Sequence, residues 1–390
     1  MYRIGQEEKD AVARVIDSRE LFKVNNGPKE TYHFEEELKA YFNTKNTILM
    51  TSGQAALTSA LVAMGIGPGD EVIVPAYTYI ATAMAVVAVG AMPVIAEIDE
   101  TLMIDPEDVE RKITDRTRAI LPVHMQGYPC NMDAINEVAK KYGLLVLEDA
   151  CQAVGASYHG KYLGTIGDAG AFSFNYFKII GAGEGGAILT NDREIFERAL
   201  IYHDSSAIAY FGDQLSSFTT ETFCGVEYRT NEITAAIMRE QLKRLDGIVS
   251  DLRKNKKLLC EAVGDKLRLI PTNDPEGETA MNCMLLFDSE KQARRFAEAT
   301  GYVTLPIDTG KHVYSNWDVI MGKRGAAHPL MDPFRMAVNR VPDYSPDMCP
   351  RSLDLLARTV HLAISPDWTE ADVERRAADV LRGLAAACGT

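Results

Sequence analysis

The chain has 390 residues, which exceeds the length at which a single hydrophobic core usually stops growing, so we expect two domains. Its 41 basic and 55 acidic residues give a formal net charge of −14, which disfavours nucleic acids and anionic membranes as partners. No apolar stretch is long enough to span a bilayer, no signal-peptide pattern begins the chain, and the seven cysteines form no CxxC pair. These features predict a cytoplasmic protein with reduced thiols and no bound metal.

Short apolar runs alternate with helical patterns between about residues 45 and 190. The runs lie at 71–74, 93–96, 119–123 and 144–147, and the helical patterns lie at 54–64, 78–89, 106–112 and 132–142. Alternation of this kind predicts an α/β fold in which helices cover both faces of a mainly parallel sheet. Ligands of such sheets bind beyond the carboxyl ends of the strands.

The second half of the chain has a different organisation. A long helical pattern covers residues 230–263, and the rest mixes a short strand with three helices at 281–287, 290–299, 351–359 and 369–387. We therefore expect a large domain over residues 1–250, including an N-terminal helical segment, and a smaller α+β domain over residues 251–390. The proline- and glycine-bearing stretch at 322–346 is expected to be an ordered loop over a site or an interface.

Two chemical groups stand out in the first half. Lys178 precedes a turn with four glycines in six residues, and Asp149 ends a buried apolar strand. An accessible amine and a buried carboxylate match the needs of pyridoxal 5′-phosphate (PLP), which forms a Schiff base with a lysine and carries a ring nitrogen that an acid can stabilise. Taken singly, a solvated surface lysine and an aspartate that caps a turn are the alternatives.

A phosphate group requires backbone amides and small residues around it. Ser52, Gly53 and Gln54 precede an alanine-rich helix, whose first turn offers free N–H groups and partial positive charge. An ordinary N-capped helix with Ser52 as its cap is the alternative. Ser173, on the strand before Lys178, could add a hydroxyl to the same phosphate.

Other residues could complete a pocket for a flat ring. Tyr77 and Tyr79 follow a strand, and either could lie over a pyridine ring, although core packing is an equal alternative for Tyr77. Gln152 could donate a hydrogen bond to the phenolic oxygen of the cofactor. His124 is expected to be a core histidine with its hydrogen bonds satisfied.

Together these residues resemble the DegT/DnrJ/StrS sugar-aminotransferase family over nearly the whole chain. The turn 52–54, Tyr79, Asp149, Gln152, and the run from Ser173 through Lys178 to Gly186 carry the resemblance. It implies the PLP-dependent transferase fold with a seven-stranded sheet, and a homodimer with its active site at the interface. It assigns the catalytic role to Lys178 and the cofactor contacts to Ser52, Gly53, Gln54, Tyr79, Asp149, Gln152, Ser173 and Lys178.

One position departs from the family pattern. The family commonly has G-x-N-x-R, whose asparagine reaches the phosphate of the neighbouring subunit, whereas this chain has glutamate at position 227 between Gly225 and Arg229. A carboxylate facing a phosphate dianion is repulsive. We therefore expect Glu227 to point elsewhere or to meet a cation.

The resemblance implies a transaminase that moves an amino group from glutamate or glutamine to a keto sugar or keto cyclitol. Two alternatives stay open: a PLP-dependent sugar dehydratase, which resembles this chain with histidine in place of Lys178, and a non-catalytic sugar-binding regulator. Tyr314, Trp317 and His328 are candidate substrate contacts, because their segment resembles enzymes that aminate an eight-carbon keto sugar acid; alternatively, the aromatic residues pack the small domain.

Overall fold

The computed structural model describes residues 3–23, 29–204 and 218–389. Its central element is a seven-stranded sheet of β1 (Asn46–Met50), β2 (Glu71–Pro75), β3 (Met92–Ala96), β4 (Thr117–Ile120), β5 (Leu145–Asp149), β8 (Ala169–Ser173) and β9 (Gly186–Thr190). The strand order in the sheet is β1-β9-β8-β5-β4-β2-β3. A separate short hairpin joins β6 (Ser157–Tyr158) to β7 (Lys161–Tyr162).

Most strands of this sheet run in one direction. The pairs β2–β3, β2–β4, β4–β5 and β5–β8 are parallel, and β9 alone is antiparallel to its neighbours β1 and β8. The predicted mainly parallel sheet of seven strands is therefore confirmed. Val72, Ile73 and Val74 of β2 are fully buried, as expected for a strand covered on both faces.

Seven α-helices lie in the described residues up to position 204. They are α1 (Gln6–Ser18), α2 (Glu30–Phe42), α3 (Gly53–Ala63), α4 (Ala81–Ala88), α5 (Pro106–Lys112), α6 (Met132–Tyr142) and α7 (Arg193–His203). Helix α3 begins where the side chain of Ser52 accepts a hydrogen bond from the backbone N–H of Ala55, at 3.0 Å. Helices α1 and α2 form the expected N-terminal helical segment.

The C-terminal part is built around a two-stranded antiparallel sheet of β10 (Asn282–Leu286) and β11 (Thr359–Ala363). Its helices are α8 (Glu232–Val263), α9 (Glu290–Thr300), α10 (Asp318–Met321), α11 (Pro350–Arg358) and α12 (Glu370–Cys388). Residue 250, the expected domain boundary, lies inside the 32-residue helix α8. In the described residues no helix is both long and apolar enough to cross a membrane.

The stretch 322–346 packs against the β2–β3 side of the large sheet. The Asn339 amide accepts from the N–H of Gly69 at 2.5 Å and donates to the carbonyl of Gly90 at 2.9 Å. The hydroxyl of Tyr344 donates to the carbonyl of Pro93 at 2.7 Å. These contacts hold the loop against the large sheet, whereas its expected place over a site or an interface stays a prediction.

The carboxyl ends of β5 and β8 meet at one edge of the sheet. These neighbouring strands are parallel, and Asp149 pairs with Ala171 in their register. The residues that follow both strands therefore emerge side by side, at the edge where α/β sheets bind ligands.

Candidate active site

A cavity of about 590 Å³ opens at this edge of the sheet. Its volume lies within the range of small-molecule and cofactor sites. All eight residues assigned to the cofactor line it: Ser52, Gly53, Gln54, Tyr79, Asp149, Gln152, Ser173 and Lys178. The structure thus brings the whole predicted set of cofactor contacts together.

A tight turn holds Lys178 at the cavity. The N–H of Phe174 donates to the carbonyl of Gly185 at 2.8 Å, and the N–H of Tyr176 donates to that of Gly183 at 3.0 Å. Gly183 and Gly185 have φ angles of +88° and +150°, a region that side-chain-bearing residues rarely adopt, so the glycine-rich sequence is required by the turn. The Lys178 side chain is half-buried, and no residue of the described chain forms an ion pair with its amine.

Asp149 supplies a buried acid to the same cavity. Its side chain is 5% exposed. One carboxylate oxygen accepts a hydrogen bond from the hydroxyl of Thr82 at 2.8 Å, and the other accepts from the backbone N–H of Cys151 at 3.1 Å. These contacts fix the orientation of the carboxylate.

The start of helix α3 is packed so closely that only glycine fits at position 53. A Cβ atom there would lie 2.7 Å from the Cβ of Ser173 and 2.8 Å from the sulfur of Cys151. A Cβ on Gly186 would lie 2.3 Å from the carbonyl oxygen of Ser52. The two glycines let the backbone of residues 52–54 approach β8 and β9, which exposes a helix N-terminus to the cavity beside the hydroxyl of Ser173.

Of the two tyrosines singled out in the sequence, one reaches the cavity. Tyr79 is 48% exposed, whereas Tyr77 is 1% exposed and belongs to the core. The ring of Tyr79 lies 5.3 Å from the ring of His312, at an angle of 52°. Of the two tyrosines, only Tyr79 is available to contact a ring in the cavity.

His312 lines the cavity but was not among the predicted site residues. Burial lowers its pKa, and the nearby charge of Lys178 lowers it further. Its ring nitrogen Nδ1 lies 3.3 Å from the carbonyl oxygen of Thr309. The sequence contains the signal, a histidine in the segment singled out for its resemblance, but nothing in the sequence relates that segment to the distant strand ends.

Gln152 sits at the cavity beside a second glutamine. Its side-chain oxygen accepts from the backbone N–H of Gln126 at 3.3 Å, which leaves its NH₂ group as the donor for the cavity. The side-chain oxygen of Gln126 accepts from the Asn282 amide at 2.5 Å. This pair links the cavity to β10.

The structure does not bring the three candidate substrate contacts to this cavity. Tyr314 and Trp317 are fully buried in the core, where the phenol of Tyr314 donates to the carbonyl of Pro346 at 2.8 Å and the indole N–H of Trp317 donates to that of Lys311 at 2.9 Å. His328 is exposed outside the cavity, and its Nδ1 accepts from the N–H of Leu330 at 3.2 Å. Packing therefore accounts for the two aromatic residues.

Two further expectations have clear outcomes. His124 is a satisfied core histidine: it is fully buried, its Nδ1 accepts from the N–H of Cys130 at 3.1 Å, and its Nε2 lies 3.0 Å from Glu148. Glu227 meets a cation, because its carboxylate lies 2.8 Å from the guanidinium of Arg229. Glu227 is not part of the cavity wall.

Comparison with known proteins agrees with this geometry. Residues 2–304 match the model of the DegT/DnrJ/EryC1/StrS aminotransferase family. The chain belongs to that family. Family membership confirms the resemblance drawn from the sequence, PLP as the cofactor, and a PLP-dependent aminotransferase as the class of enzyme.

Individual relatives are similar over most of the chain. The spore coat polysaccharide biosynthesis protein SpsC of Bacillus subtilis is 40% identical over 69% of this chain and 68% of its own length. The dTDP-3-amino-3,4,6-trideoxy-alpha-D-glucose transaminase of Streptomyces venezuelae is 44% identical over 62% of this chain and 61% of its own length. The alignments thus span about two thirds of each relative.

A solved structure is similar over nearly the whole chain. The structure of DesV from S. venezuelae, in complex with a ketimine intermediate, is 32% identical, has a TM-score of 0.77, and covers 97% of this chain and 94% of its own. This similarity confirms the predicted PLP-dependent transferase fold.

The residues present fit a PLP molecule. Gly53 lets the start of helix α3 pack closely against Ser173, that helix start offers backbone N–H groups for a phosphate, and Asp149 provides a buried acid for a ring nitrogen. The half-buried amine of Lys178 lies in the wall of the same cavity.

Proposed function

We propose that this protein is a transaminase that moves an amino group from glutamate or glutamine to a keto sugar or keto cyclitol, in amino-sugar or natural-product biosynthesis. The observation that carries the proposal is the sharing of one cavity by the Lys178 amine and the buried carboxylate of Asp149. The S. venezuelae relative, whose name describes a transaminase of a nucleotide-linked amino sugar, supports this class of substrate.

Each cavity residue has a proposed role in holding the cofactor. Ser52, Gly53, Gln54 and Ser173 bind its phosphate through backbone N–H groups and hydroxyls. Tyr79 covers one face of its ring, Gln152 donates to its phenolic oxygen, and Asp149 holds positive charge on its ring nitrogen. When bound, PLP supplies an aldehyde that links to amines and a ring that accepts electrons from the adjacent carbon.

Lys178 has two tasks in this proposal. Its amine would anchor the bound cofactor, and the same amine, when free, would move a proton between the α-carbon of the amino donor and the aldehyde carbon of the cofactor. The glycine-rich turn keeps the amine at the cavity for both tasks.

We further propose that the protein is a cytoplasmic homodimer with its active site at the interface. Tyr176 and Phe177, next to Lys178, are 59% and 80% exposed, and Phe177 lines the cavity. Large apolar side chains at the rim of a site are typical of surfaces that another subunit covers. Sedimentation equilibrium measures this: we expect twice the mass of one chain.

Lys178 and Asp149 weigh against the two alternative functions. A dehydratase of this family would have histidine at position 178, and a non-catalytic regulator would be free to lose either residue, yet this chain keeps both. The visible absorbance of the purified protein tests the choice. We expect the band of the lysine-linked cofactor to bleach on addition of glutamate or glutamine, with pyridoxamine phosphate formed; a band unchanged by every amino donor would contradict transfer.

Replacing Lys178 tests its role directly. We expect Lys178→Ala and Lys178→Arg to abolish turnover, because neither alanine nor a permanently charged guanidinium can exchange with an amine or accept a proton. Activity is measured over a panel of keto sugars, keto cyclitols and nucleotide-linked keto sugars, with Lys140→Arg, at an exposed position of helix α6, as the control. Amination by either Lys178 variant at the wild-type rate would remove the catalytic assignment.

A further inference from the structure

Two buried hydroxyl groups stand in line behind the carboxylate of Asp149. The side chains of Thr78 and Thr82 are each 1% exposed. Their hydroxyl oxygens lie 2.7 Å apart, and the hydroxyl of Thr82 lies 2.8 Å from Oδ2 of Asp149. Thr82 itself lines the cavity.

The available donors and acceptors determine which group donates in each of these two hydrogen bonds. An ionised carboxylate only accepts, so the single proton of the Thr82 hydroxyl is donated to Asp149. The Thr82 oxygen must then accept from Thr78, whose other hydroxyl contact within the described residues, the carbonyl of Tyr79, lies at 3.4 Å. The order of donation is therefore Thr78 to Thr82 to Asp149.

The backbone around Thr78, the first donor of the series, is hydrogen-bonded to the C-terminal half of the protein. The backbone N–H of Thr78 donates to the carbonyl of His312 at 3.0 Å, and that of Ile80 donates to the carbonyl of Lys311 at 2.9 Å. Thr82 belongs to the first turn of helix α4. Backbone hydrogen bonds therefore hold the main chain of both threonines in place, which fixes where their hydroxyl groups lie.

We propose that Thr82 is a positioning residue that acts through Asp149, and that Thr78 supports it. The bond that Thr82 donates holds one carboxylate oxygen of Asp149 in place, so the carboxylate keeps the orientation that would face the ring nitrogen of the cofactor. A preorganised charge of this kind stabilises positive charge on the ring more than a free carboxylate does. The inference rests on the proposed function, because it assumes that Asp149 faces a PLP ring.

A cofactor analogue separates this role from simple packing. In 1-deazapyridoxal phosphate a C–H group replaces the ring nitrogen, so the ring has no protonated nitrogen with which the Asp149 carboxylate could form an ion pair. We expect Thr82→Val, which removes the hydroxyl at nearly constant volume, to weaken binding of PLP about tenfold and binding of the analogue less than twofold. Thr82→Ser, which keeps the hydroxyl, should bind both compounds as the wild type does.

The measurement is fluorescence titration of cofactor-free protein with each compound. Thr359→Val is the matched control: this threonine is also fully buried, and its hydroxyl donates to the carbonyl of Leu355 at 2.8 Å, in the other sheet. If Thr82→Val does not fold, Thr82→Ala takes its place in the same comparison.

Equal losses for PLP and the analogue, or no loss for either, would overturn the inference. Both outcomes are distinguishable from failure of the proposed function. Wild-type protein that binds no PLP, or that binds it without a link to Lys178, would contradict the proposed function, whereas equal losses in Thr82→Val would leave that function intact.

Discussion

At the scale of single residues, close packing around position 53 determines the shape of the proposed phosphate site. A Cβ at position 53 would overlap with Ser173 and Cys151, so no residue larger than glycine fits there without a shift of its neighbours. A Cβ at 2.7 Å from a neighbouring carbon forces β8 and helix α3 apart. Backbone N–H groups of residues 52–54 would then move away from any phosphate that they bind.

Gly53→Ala should therefore weaken PLP binding more than it weakens the fold. We expect a loss of stability of about 1–3 kcal/mol from overpacking, and a loss of cofactor affinity of at least tenfold. Thermal unfolding with and without PLP measures both quantities. Gly247→Ala is the control, because a Cβ there meets nothing within 4 Å inside helix α8, and it should stabilise by about 0.5–1 kcal/mol. Wild-type PLP affinity in Gly53→Ala would contradict the assigned phosphate site.

Site residues that stand in a recognisable sequence pattern could be predicted, whereas residues that reach the site only through contacts distant in sequence could not. Lys178 and Asp149 are marked by a glycine-rich turn and by a strand end. Thr82 and His312 carry no local mark: Thr82 reaches Asp149 across 67 positions of sequence, and His312 reaches the cavity from beyond helix α8. Only the packing of the folded chain reveals them.

At the scale of elements, strand β5 serves two functions on its two sides. Asp149 faces the cavity, and the preceding Glu148 faces away from it, because successive side chains of a strand alternate. Glu148 is fully buried and accepts from the N–H groups of Gly164, Ile166 and Gly167 at 2.6–2.8 Å. It thus holds the loop that leads into β8.

Glu148→Gln should destabilise the protein strongly. The amide NH₂ would face buried N–H groups in place of an acceptor oxygen, which we expect to cost about 3 kcal/mol. Urea unfolding measures the change, and Glu107→Gln, at an exposed position of helix α5, should leave stability unchanged. Wild-type stability in Glu148→Gln would contradict the role of Glu148 in holding this loop.

The alternation of elements was predictable because strands and helices of an α/β sheet have distinct apolar periods. The runs at 71–74, 93–96 and 144–147 correspond to β2, β3 and β5. The role of Glu148 was not predictable, because a carboxylate in an apolar strand does not reveal which backbone groups it will meet. The direction of β9 likewise depends on a tight turn that returns the chain beside β8.

At the scale of the whole molecule, two buried histidines tie stability to pH. Burial lowers the pKa of His203 and of His361 to about 3. In the unfolded chain each pKa is near 6.5. Below that value the unfolded state binds protons that the folded state does not, so stability is fully present above pH 6.5 and falls as the pH drops toward 3.

His361→Leu should flatten this dependence. Removing one such group lowers the slope by up to one proton, or about 1.4 kcal/mol per pH unit, between pH 6.5 and pH 4. Urea unfolding at a series of pH values measures the slope. His33→Gln, at an exposed position of helix α2, is the control, because both buried histidines remain. A slope in His361→Leu equal to that of the wild type would show that His361 does not supply the proton.

The placement of residues 251–390 against the large sheet is the part least accessible to sequence reasoning. Tyr314, Trp317 and His328 are candidate substrate contacts because their segment resembles enzymes that aminate an eight-carbon keto sugar acid, but the segment turns its aromatic residues into the core. His312, in the same segment, is the residue that reaches the cavity. A resemblance marks a segment, whereas the packing of the two parts of the chain decides which of its side chains lines the cavity.

The central claim is a covalent link between Lys178 and PLP. Reduction of the purified protein with sodium borohydride fixes such a link, and peptide mass spectrometry then locates it. We predict a phosphopyridoxyl group on the peptide that contains Lys178, and its loss when the protein is treated with glutamate or glutamine before reduction. A label on another lysine, or no label on a protein that contains PLP, would contradict the account.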